Sequence, residues 1–129
     1  MLQIEGDSVV RTSLNARPLC ALTDIPDGGA REGEGEVGGV AESLILTRCG
    51  GQVFAFLNVC PHAGRRLDWA PGQFLIDRGH LVCAVHGATF ELPTGECIGG
   101  PCRGASLCAV AAEVHDAQVW LVAGDAALG

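Results

Sequence analysis

The chain has 129 residues, of which 48% are hydrophobic, so it is long enough to bury the core of one domain, and we expect a single domain over residues 1–129. The formal net charge is −7 with only eight Lys and Arg residues, which argues against nucleic-acid binding because neutralising phosphates needs clustered cations. No stretch approaches the roughly 20 apolar residues of a membrane span, and residues 1–7 lack the features of a signal peptide. We therefore expect a cytoplasmic protein that binds neither nucleic acid nor a membrane.

The predicted elements are short strands separated by turns. Residues 27–39 hold six glycines and three glutamates, and they are predicted to form an exposed, mobile loop. The strand-like runs, in chain order, are residues 19–22, 44–48, 53–57, 74–76, 81–85, 89–92, 106–114 and 118–122. Turn residues at 50–51, 77–79 and 115–117 join six of these runs into three hairpins. Helical periodicity never persists for three turns, so we predict an all-β fold, a mostly antiparallel sandwich or small barrel.

Seven cysteines are an odd number, so they cannot all pair within one chain, and a reducing compartment fits them better. In such a compartment cysteines are metal ligands, catalytic groups or small buried hydrophobes. Three of them lie on strand-like runs or at their edges, where a packing role is favoured: Cys20, Cys49 and Cys108.

Two segments combine cysteine and histidine at close spacing. Cys60-Pro61-His62 and Cys83-Ala84-Val85-His86 each follow a strand-like run, and each supplies one thiol and one imidazole. In a Rieske [2Fe-2S] cluster two thiolates bind one iron and two imidazoles bind the other, which is the same ligand set divided between two loops. We therefore predict that Cys60, His62, Cys83 and His86 hold one such cluster and that the chain passes single electrons.

The two segments resemble the cluster-binding loops of the Rieske family. The resemblance rests on Cys60-Pro61-His62-Ala63-Gly64 and on Cys83-Ala84-Val85-His86-Gly87-Ala88-Thr89-Phe90. Thr94-Gly95-Glu96 and Gly99-Gly100-Pro101 resemble a turn and the proline-containing third loop that covers the cluster in that family. About residues 18–123 are covered, with the cluster-binding region at about 58–102. The resemblance implies a Rieske-like antiparallel β sandwich or barrel with a small cluster-binding subdomain formed by two loops.

The family resemblance also implies a function. The thiol pair that bridges the loops in high-potential members is missing, since Ala63 and Val85 stand nearby instead, and this points to the bacterial ferredoxin and oxygenase branch. The resemblance to dioxygenase ferredoxins implies a carrier that takes electrons from a flavin-dependent reductase and passes them to a terminal oxygenase or similar enzyme, with no catalytic residue of its own. Two alternatives stay open: a small Rieske subunit of a multi-chain reductase or oxygenase, similar to nitrite reductase small subunits, and a structural zinc-binding interaction domain, since Cys2His2 also suits zinc.

Three further groups of residues have two interpretations each. Cys97 and Cys102 bracket the third loop and are either packing residues or a functional pair, which forms a redox-sensitive disulfide or protects the cluster. Arg65 and Arg66 follow the first ligand segment and either add positive charge beside the cluster or lie in an ordinary solvated loop. The two remaining histidines fall in predicted turns and are expected to be solvated rather than iron ligands: His80 and His115.

Overall fold

The computed structural model describes residues 17–61, 64–83 and 87–122, and in these ranges the chain forms eleven strands and one 3-10 helix but no α-helix. The 3-10 helix is Leu22–Asp24, and the strands are β1 (Cys20–Ala21), β2 (Ala30–Val37), β3 (Val40–Cys49), β4 (Gln52–Leu57), β5 (Leu75–Asp77), β6 (His80–Val82), β7 (Thr89–Glu91), β8 (Cys97–Gly99), β9 (Ala109–Val110), β10 (Ala112–His115) and β11 (Gln118–Leu121). They form three antiparallel sheets, with strand orders β1-β11-β10, β2-β3-β4-β9 and β5-β6-β7-β8. The prediction of an antiparallel all-β fold is confirmed. Within the described ranges, no helix is long and apolar enough to cross a membrane.

Two hydrophobic cores lie on the two sides of strand β3. The first, which we call the base core, joins the β2–β9 sheet to the β1–β10 sheet and contains Ile25, Leu44, Leu46, Val53, Ala55, Val110, Val119 and Leu121. The second, the ligand-side core, extends to the β5–β8 sheet and contains Ile45, Phe56, Cys60, Leu67, Leu81, Cys83, Ala88, Phe90, Leu92, Cys97, Cys102 and Leu107. Four buried cysteines belong to the ligand-side core and none to the base core. The cysteine chemistry of the chain is therefore concentrated on one side of β3.

Strand β3 contributes to both cores because its successive side chains alternate between its faces. Leu44 and Leu46 enter the base core and Ile45 enters the ligand-side core, each with no solvent-exposed surface. Thr47 is also fully buried, and its hydroxyl donates a 2.7 Å hydrogen bond to the carbonyl oxygen of Leu92. Burial on both faces explains why residues 44–47 read as a continuous run rather than as an alternation of apolar and polar residues.

The prediction of a mobile loop at residues 27–39 is wrong for most of that segment. Residues 30–37 form β2, which pairs with β3 over eight registered positions from Ala30 opposite Thr47 to Val37 opposite Val40. The glycines replace the apolar residues of an ordinary alternating strand because the base core leaves no room for a side chain there. A Cβ atom at Gly33 would stand 2.9 Å from Leu46 Cδ1, and one at Gly35 would stand 2.7 Å from Leu121 Cδ2.

The three predicted hairpins are confirmed, and the turns of two of them need an unusual backbone. Arg78-Gly79 joins β5 to β6 with φ of +54° and +77°, and Asp116-Ala117 joins β10 to β11 with φ of +54° and +61°. Positive φ at both central residues is the backbone twist that matches the twist of paired strands in two-residue hairpins. His80 and His115 therefore lie at strand ends that flank these turns, not within them.

The predicted strand at residues 106–114 is divided between two sheets. Its first part, β9, pairs with β4, whereas its second part, β10, pairs with β11. The change of partner falls at Ala111, whose carbonyl oxygen still accepts a 3.0 Å hydrogen bond from the amide of Val122. The continuous chain thus links the two sheets that enclose the base core.

Replacing Gly35 by valine tests the inward orientation of the β2 glycines. Gly35→Val places a branched side chain against Leu121, which is 1% exposed, and overpacking of this kind costs about 1–3 kcal/mol. Glu36→Val is the matched control because it inserts the same side chain at the exposed neighbouring position, where we expect a change within about 0.5 kcal/mol. Urea unfolding followed by circular dichroism measures both, and equal effects would show that Gly35 does not face the core.

Candidate metal centre

Cys60 and Cys83 begin two loops that have the same backbone hydrogen bonds. In the first ligand loop, residues 60–64, the Cys60 amide donates to the Arg65 carbonyl at 2.6 Å and the Gly64 amide donates to the Cys60 carbonyl at 2.7 Å. In the second ligand loop, residues 83–87, the Cys83 amide donates to the Ala88 carbonyl at 2.7 Å and the Gly87 amide donates to the Cys83 carbonyl at 2.8 Å. Each loop is thus closed by a pair of hydrogen bonds at the same offsets from its cysteine.

The glycine that ends each ligand loop is required by its backbone. Gly64 has φ of +68° and Gly87 has φ of +75°, a conformation that favours glycine over residues with a Cβ atom. In the sequence, His62 is the third residue of its loop and His86 is the fourth. Both histidines lie outside the described residues, so their assignment as ligands stays a prediction.

The two cysteine side chains are buried at the inner ends of these loops. Cys60 is 0% exposed and Cys83 is 1% exposed, and both belong to the ligand-side core as free thiols. By contrast Pro61, Gly64 and Gly87, which flank the two histidines, are exposed. Each loop therefore begins at a buried thiol and ends at an exposed glycine. Among the described residues, no three His, Cys, Asp or Glu side chains are grouped as a set that could hold a metal.

The third loop packs directly on the second ligand loop. Gly100 has φ of +86°, and a Cβ atom built on it would stand 2.8 Å from Ala88 Cα and 3.0 Å from the Gly87 carbonyl oxygen. Only a residue without a side chain allows backbone-to-backbone approach at this distance. The third loop recognised in the sequence as residues 99–101 therefore lies against the backbone that closes the second ligand loop.

Cys97 and Cys102 form a buried thiol pair at the base of the third loop. Cys102 Sγ lies 3.1 Å from Cys97 Sγ and donates to it, while Cys97 Sγ donates to the carbonyl oxygen of Gly99, also at 3.1 Å. Burial, together with hydrogen bonding to Cys97 and the proximity of Cys60, raises the pKa of Cys102 to about 12. Cys102 is thus a neutral thiol near neutral pH.

Buried Asn58 connects the first ligand loop to β3. Its side-chain oxygen accepts a 2.9 Å hydrogen bond from the buried Leu67 amide, and its side-chain nitrogen donates to the Ser43 hydroxyl at 3.1 Å. The Ser43 hydroxyl in turn donates to the Glu32 carboxylate at 2.7 Å. Asn58 is 2% exposed, so these bonds replace the water that its amide would otherwise bind. It fixes the segment that follows the loop.

Arg66 strengthens the same connection. Its guanidinium pairs with the Glu32 carboxylate at 2.9 Å and with the Asp68 carboxylate at 2.6 Å, so both carboxylates compensate its charge. Burial alone would raise the pKa of Asp68, but hydrogen bonds from Arg66 and from the Gly72 amide outweigh it and hold that pKa below its usual value. The charge of Arg66 is therefore shared with two carboxylates, whereas Arg65 is an exposed loop residue.

The other cysteines and histidines take minor positions. Cys20 and Cys49 are half-buried, in line with packing roles, but Cys108 is exposed, so its predicted burial is wrong. His115 is exposed and lies 2.8 Å from the Glu113 carboxylate on the same strand. His80 is half-buried at the start of β6.

The chain belongs to a family of iron-sulfur proteins, the Rieske [2Fe-2S] domain family, which it matches over residues 15–118. A relative named as the ferredoxin subunit of 3-phenylpropionate/cinnamic acid dioxygenase, from Photorhabdus laumondii subsp. laumondii, is 29% identical over 80 residues, which cover 62% of this chain and 69% of that one. The cofactor of the family is a [2Fe-2S] cluster. Two free, buried thiols on loops of the same construction fit the thiolate half of its ligand set.

Solved structures show the same fold. One chain, from the complex of reduced oxygenase and oxidized ferredoxin in carbazole 1,9a-dioxygenase, is 27% identical with a TM-score of 0.65, and the match covers 82% of this chain and 91% of that one. A ferredoxin from Sphingomonas yanoikuyae B1 is 22% identical, also with a TM-score of 0.65, and the match covers 85% of this chain and all of that one. The predicted Rieske-like architecture is confirmed.

Removing the Asn58 side chain tests its anchoring role. Asn58→Ala leaves the buried amide of Leu67 without a partner, which costs about 1–3 kcal/mol of unfolding free energy. Thr94→Ala is the control, because Thr94 makes only exposed hydrogen bonds, and a change within about 0.5 kcal/mol is expected. Chemical denaturation of both variants measures the difference. An Asn58→Ala protein as stable as the control would contradict the anchoring role.

Alanine substitutions at Gly100 and Gly104 distinguish the cost of backbone strain from the cost of losing the contact with the second ligand loop. Both have positive φ, at +86° and +95°, but only Gly100 has backbone atoms where a Cβ would stand, whereas Gly104 has nothing within 4 Å. Gly104→Ala should show the conformational cost alone, about 1–2 kcal/mol. Gly100→Ala should lose more stability and release the cluster faster, measured as loss of visible absorbance at constant temperature. Equal rates of cluster loss in the two variants would show that the contact is unimportant.

Proposed function

We propose that this chain is a one-electron carrier whose [2Fe-2S] cluster is held by Cys60, His62, Cys83 and His86. The observation that carries the proposal is the identical closure of the two ligand loops, each of which begins with a buried free thiol. A histidine follows each thiol within its loop, so the two loops together offer the two thiolates and two imidazoles of a Rieske centre. The ferredoxin names of the relatives support the same role.

The bound cluster supplies reversible one-electron chemistry, between a neutral oxidised state and a reduced state with one negative charge. The chain's own contribution is to position the ligands and to separate a buried end from an exposed end. Cys60 and Cys83 lie in the ligand-side core, shielded from water, while Pro61, Gly64 and Gly87 are exposed. Electrons are therefore proposed to enter and leave at the histidine-bearing loop tips, where a partner approaches most closely.

The proposed partners are a flavin-dependent reductase as electron donor and a terminal oxygenase as electron acceptor. Support comes from the named complex of an oxygenase with a ferredoxin, in which one chain shares this fold at 27% identity. The net charge of −7 favours partner surfaces that are basic, and association by such long-range attraction weakens as salt is added. Carriers of this kind form small, transient interfaces.

The ligand assignment is tested by the iron, sulfide and zinc content and by the electron paramagnetic resonance spectrum of anaerobically purified, dithionite-reduced protein. We expect two irons and two sulfides per chain and the low average g value of a cluster with histidine ligands. In His86→Ala that signal should be lost, because one iron lacks an imidazole. His115→Ala is the matched control and should leave the signal intact, since His115 is an exposed residue paired with Glu113.

Three other results would contradict the proposal or change it. Zinc without visible bands would leave a structural metal domain. Loss of the signal in His115→Ala together with its persistence in His86→Ala would refute the ligand assignment. Co-purification with a second chain that cannot be separated at high salt would favour a permanent small subunit over a free carrier.

A further inference from the structure

We propose that Cys97 and Cys102 are a second redox site of this chain, a dithiol that peroxide oxidises to an intramolecular disulfide at the base of the third loop. The proposal rests on the geometry of the two thiols and stands whether or not the chain carries electrons between the partners named above. The sulfur atoms lie 3.1 Å apart, in direct contact, and both residues are buried free thiols.

Backbone hydrogen bonds hold the segments that carry the two cysteines close together. The Cys97 amide donates to the Ala105 carbonyl at 2.8 Å, and the Ala105 amide donates to the Cys102 carbonyl at 2.9 Å. The Gly104 amide also donates to the Cys97 carbonyl at 3.2 Å. These bonds bring both ends of the loop together without any covalent link. To form a bond of about 2.05 Å, the sulfurs must approach each other by about 1 Å.

The other cysteines are poorly placed for the same reaction. Cys60 and Cys83 are the proposed cluster ligands, and Cys20 packs against the base core on the far side of β3. Cys49 lies at the edge of the ligand-side core, and Cys108 is exposed. Among the residues that the structure describes, Cys97 and Cys102 are the one pair for which a sulfur-to-sulfur contact is seen.

The reaction is a two-electron oxidation with hydrogen peroxide as oxidant. The sulfur of Cys102, which is 7% exposed against 1% for Cys97, attacks one peroxide oxygen; the oxygen–oxygen bond breaks, and a sulfenic acid and one water form. The sulfur of Cys97 then attacks that of Cys102; the sulfur–oxygen bond breaks, and a second water leaves. Two thiols and one peroxide give one disulfide and two waters, so the two electrons come from the sulfurs and the two thiol protons end in water. Burial makes the first step slow, so the dithiol persists until peroxide is sustained.

The disulfide would act on the loop that contacts the second ligand loop. Cys97 and Cys102 stand on either side of Gly100, whose backbone lies against that of Ala88. A covalent link at the base of the third loop restricts the loop's movement away from the cluster ligands. The same reaction consumes peroxide at sulfurs other than that of Cys60, which belongs to the same core.

The experiment maps cysteine oxidation in the cluster-loaded, full-length protein. The protein is exposed to increasing hydrogen peroxide, denatured with N-ethylmaleimide to block remaining thiols, then reduced and treated with iodoacetamide before peptide mass spectrometry. We expect iodoacetamide on Cys97 and Cys102 in equal amounts, with the intact protein lighter by two hydrogen atoms before reduction. The cluster's visible spectrum, recorded at each step, should persist while this conversion takes place.

Two variants serve as controls. If one of them fails to fold, the pattern of cysteine oxidation in the wild-type protein still tests the proposal. Cys102→Ser should abolish the loss of two hydrogen atoms and make the cluster bleach at lower peroxide, whereas Cys108→Ser should behave as wild type in both respects. Iodoacetamide on Cys60 together with Cys102, or N-ethylmaleimide on both Cys97 and Cys102 after the cluster has bleached, would overturn the proposal. Because iron, sulfide and the reduced-state spectrum are measured on untreated protein, failure here is distinct from failure of the electron-carrier role.

Discussion

Burial of β3 on both faces is the constraint from which the rest of the structure follows. Leu44 and Leu46 fill the base core while Ile45 fills the ligand-side core, so neither core forms without this strand. Because residues 44–47 are buried on both faces of the strand, their backbone groups must be satisfied through the ladders to β2 and β4. The first ligand loop follows directly from β4, and the Asn58 side chain connects it back to Ser43 on β3. The position of Cys60 is therefore tied to the same strand that contributes to both cores.

The local structure that the sequence predicted well is that in which the residues forming a turn or loop are neighbours in sequence. Each ligand segment contains its cysteine and, four residues later, the glycine that accepts a positive φ and closes the loop by hydrogen bonding to the cysteine carbonyl. Local spacing is then sufficient to predict the loop. The hairpins at residues 77–79 and 115–117 were predicted for the same reason, since turn and strands are neighbours in sequence.

The parts that the sequence did not reveal depend on contacts between distant residues. Residues 27–39 lack apolar side chains, and the fact that Gly33 and Gly35 face inward follows only from Leu46 and Leu121, which fill that space. Asn58 is a single polar residue that belongs to no motif. Its anchoring role depends on hydrogen bonds with Leu67 and Ser43, which are nine and 15 positions away. The division of residues 106–114 between two sheets likewise depends on tertiary packing. The contact between the sulfurs of Cys97 and Cys102 depends on the path of the third loop, which the sequence does not give.

The turn between β10 and β11 has a consequence for engineering this chain. Asp116 and Ala117 adopt left-handed conformations that cost residues with a Cβ atom about 1–2 kcal/mol each, whereas Asn-Gly is the pair that two-residue hairpins favour. The turn belongs to the three-stranded sheet. Neither of its two residues is part of the ligand loops or of the thiol pair. Replacing Asp116-Ala117 by Asn-Gly should therefore raise the thermal stability of the protein without altering the groups that set its electron chemistry.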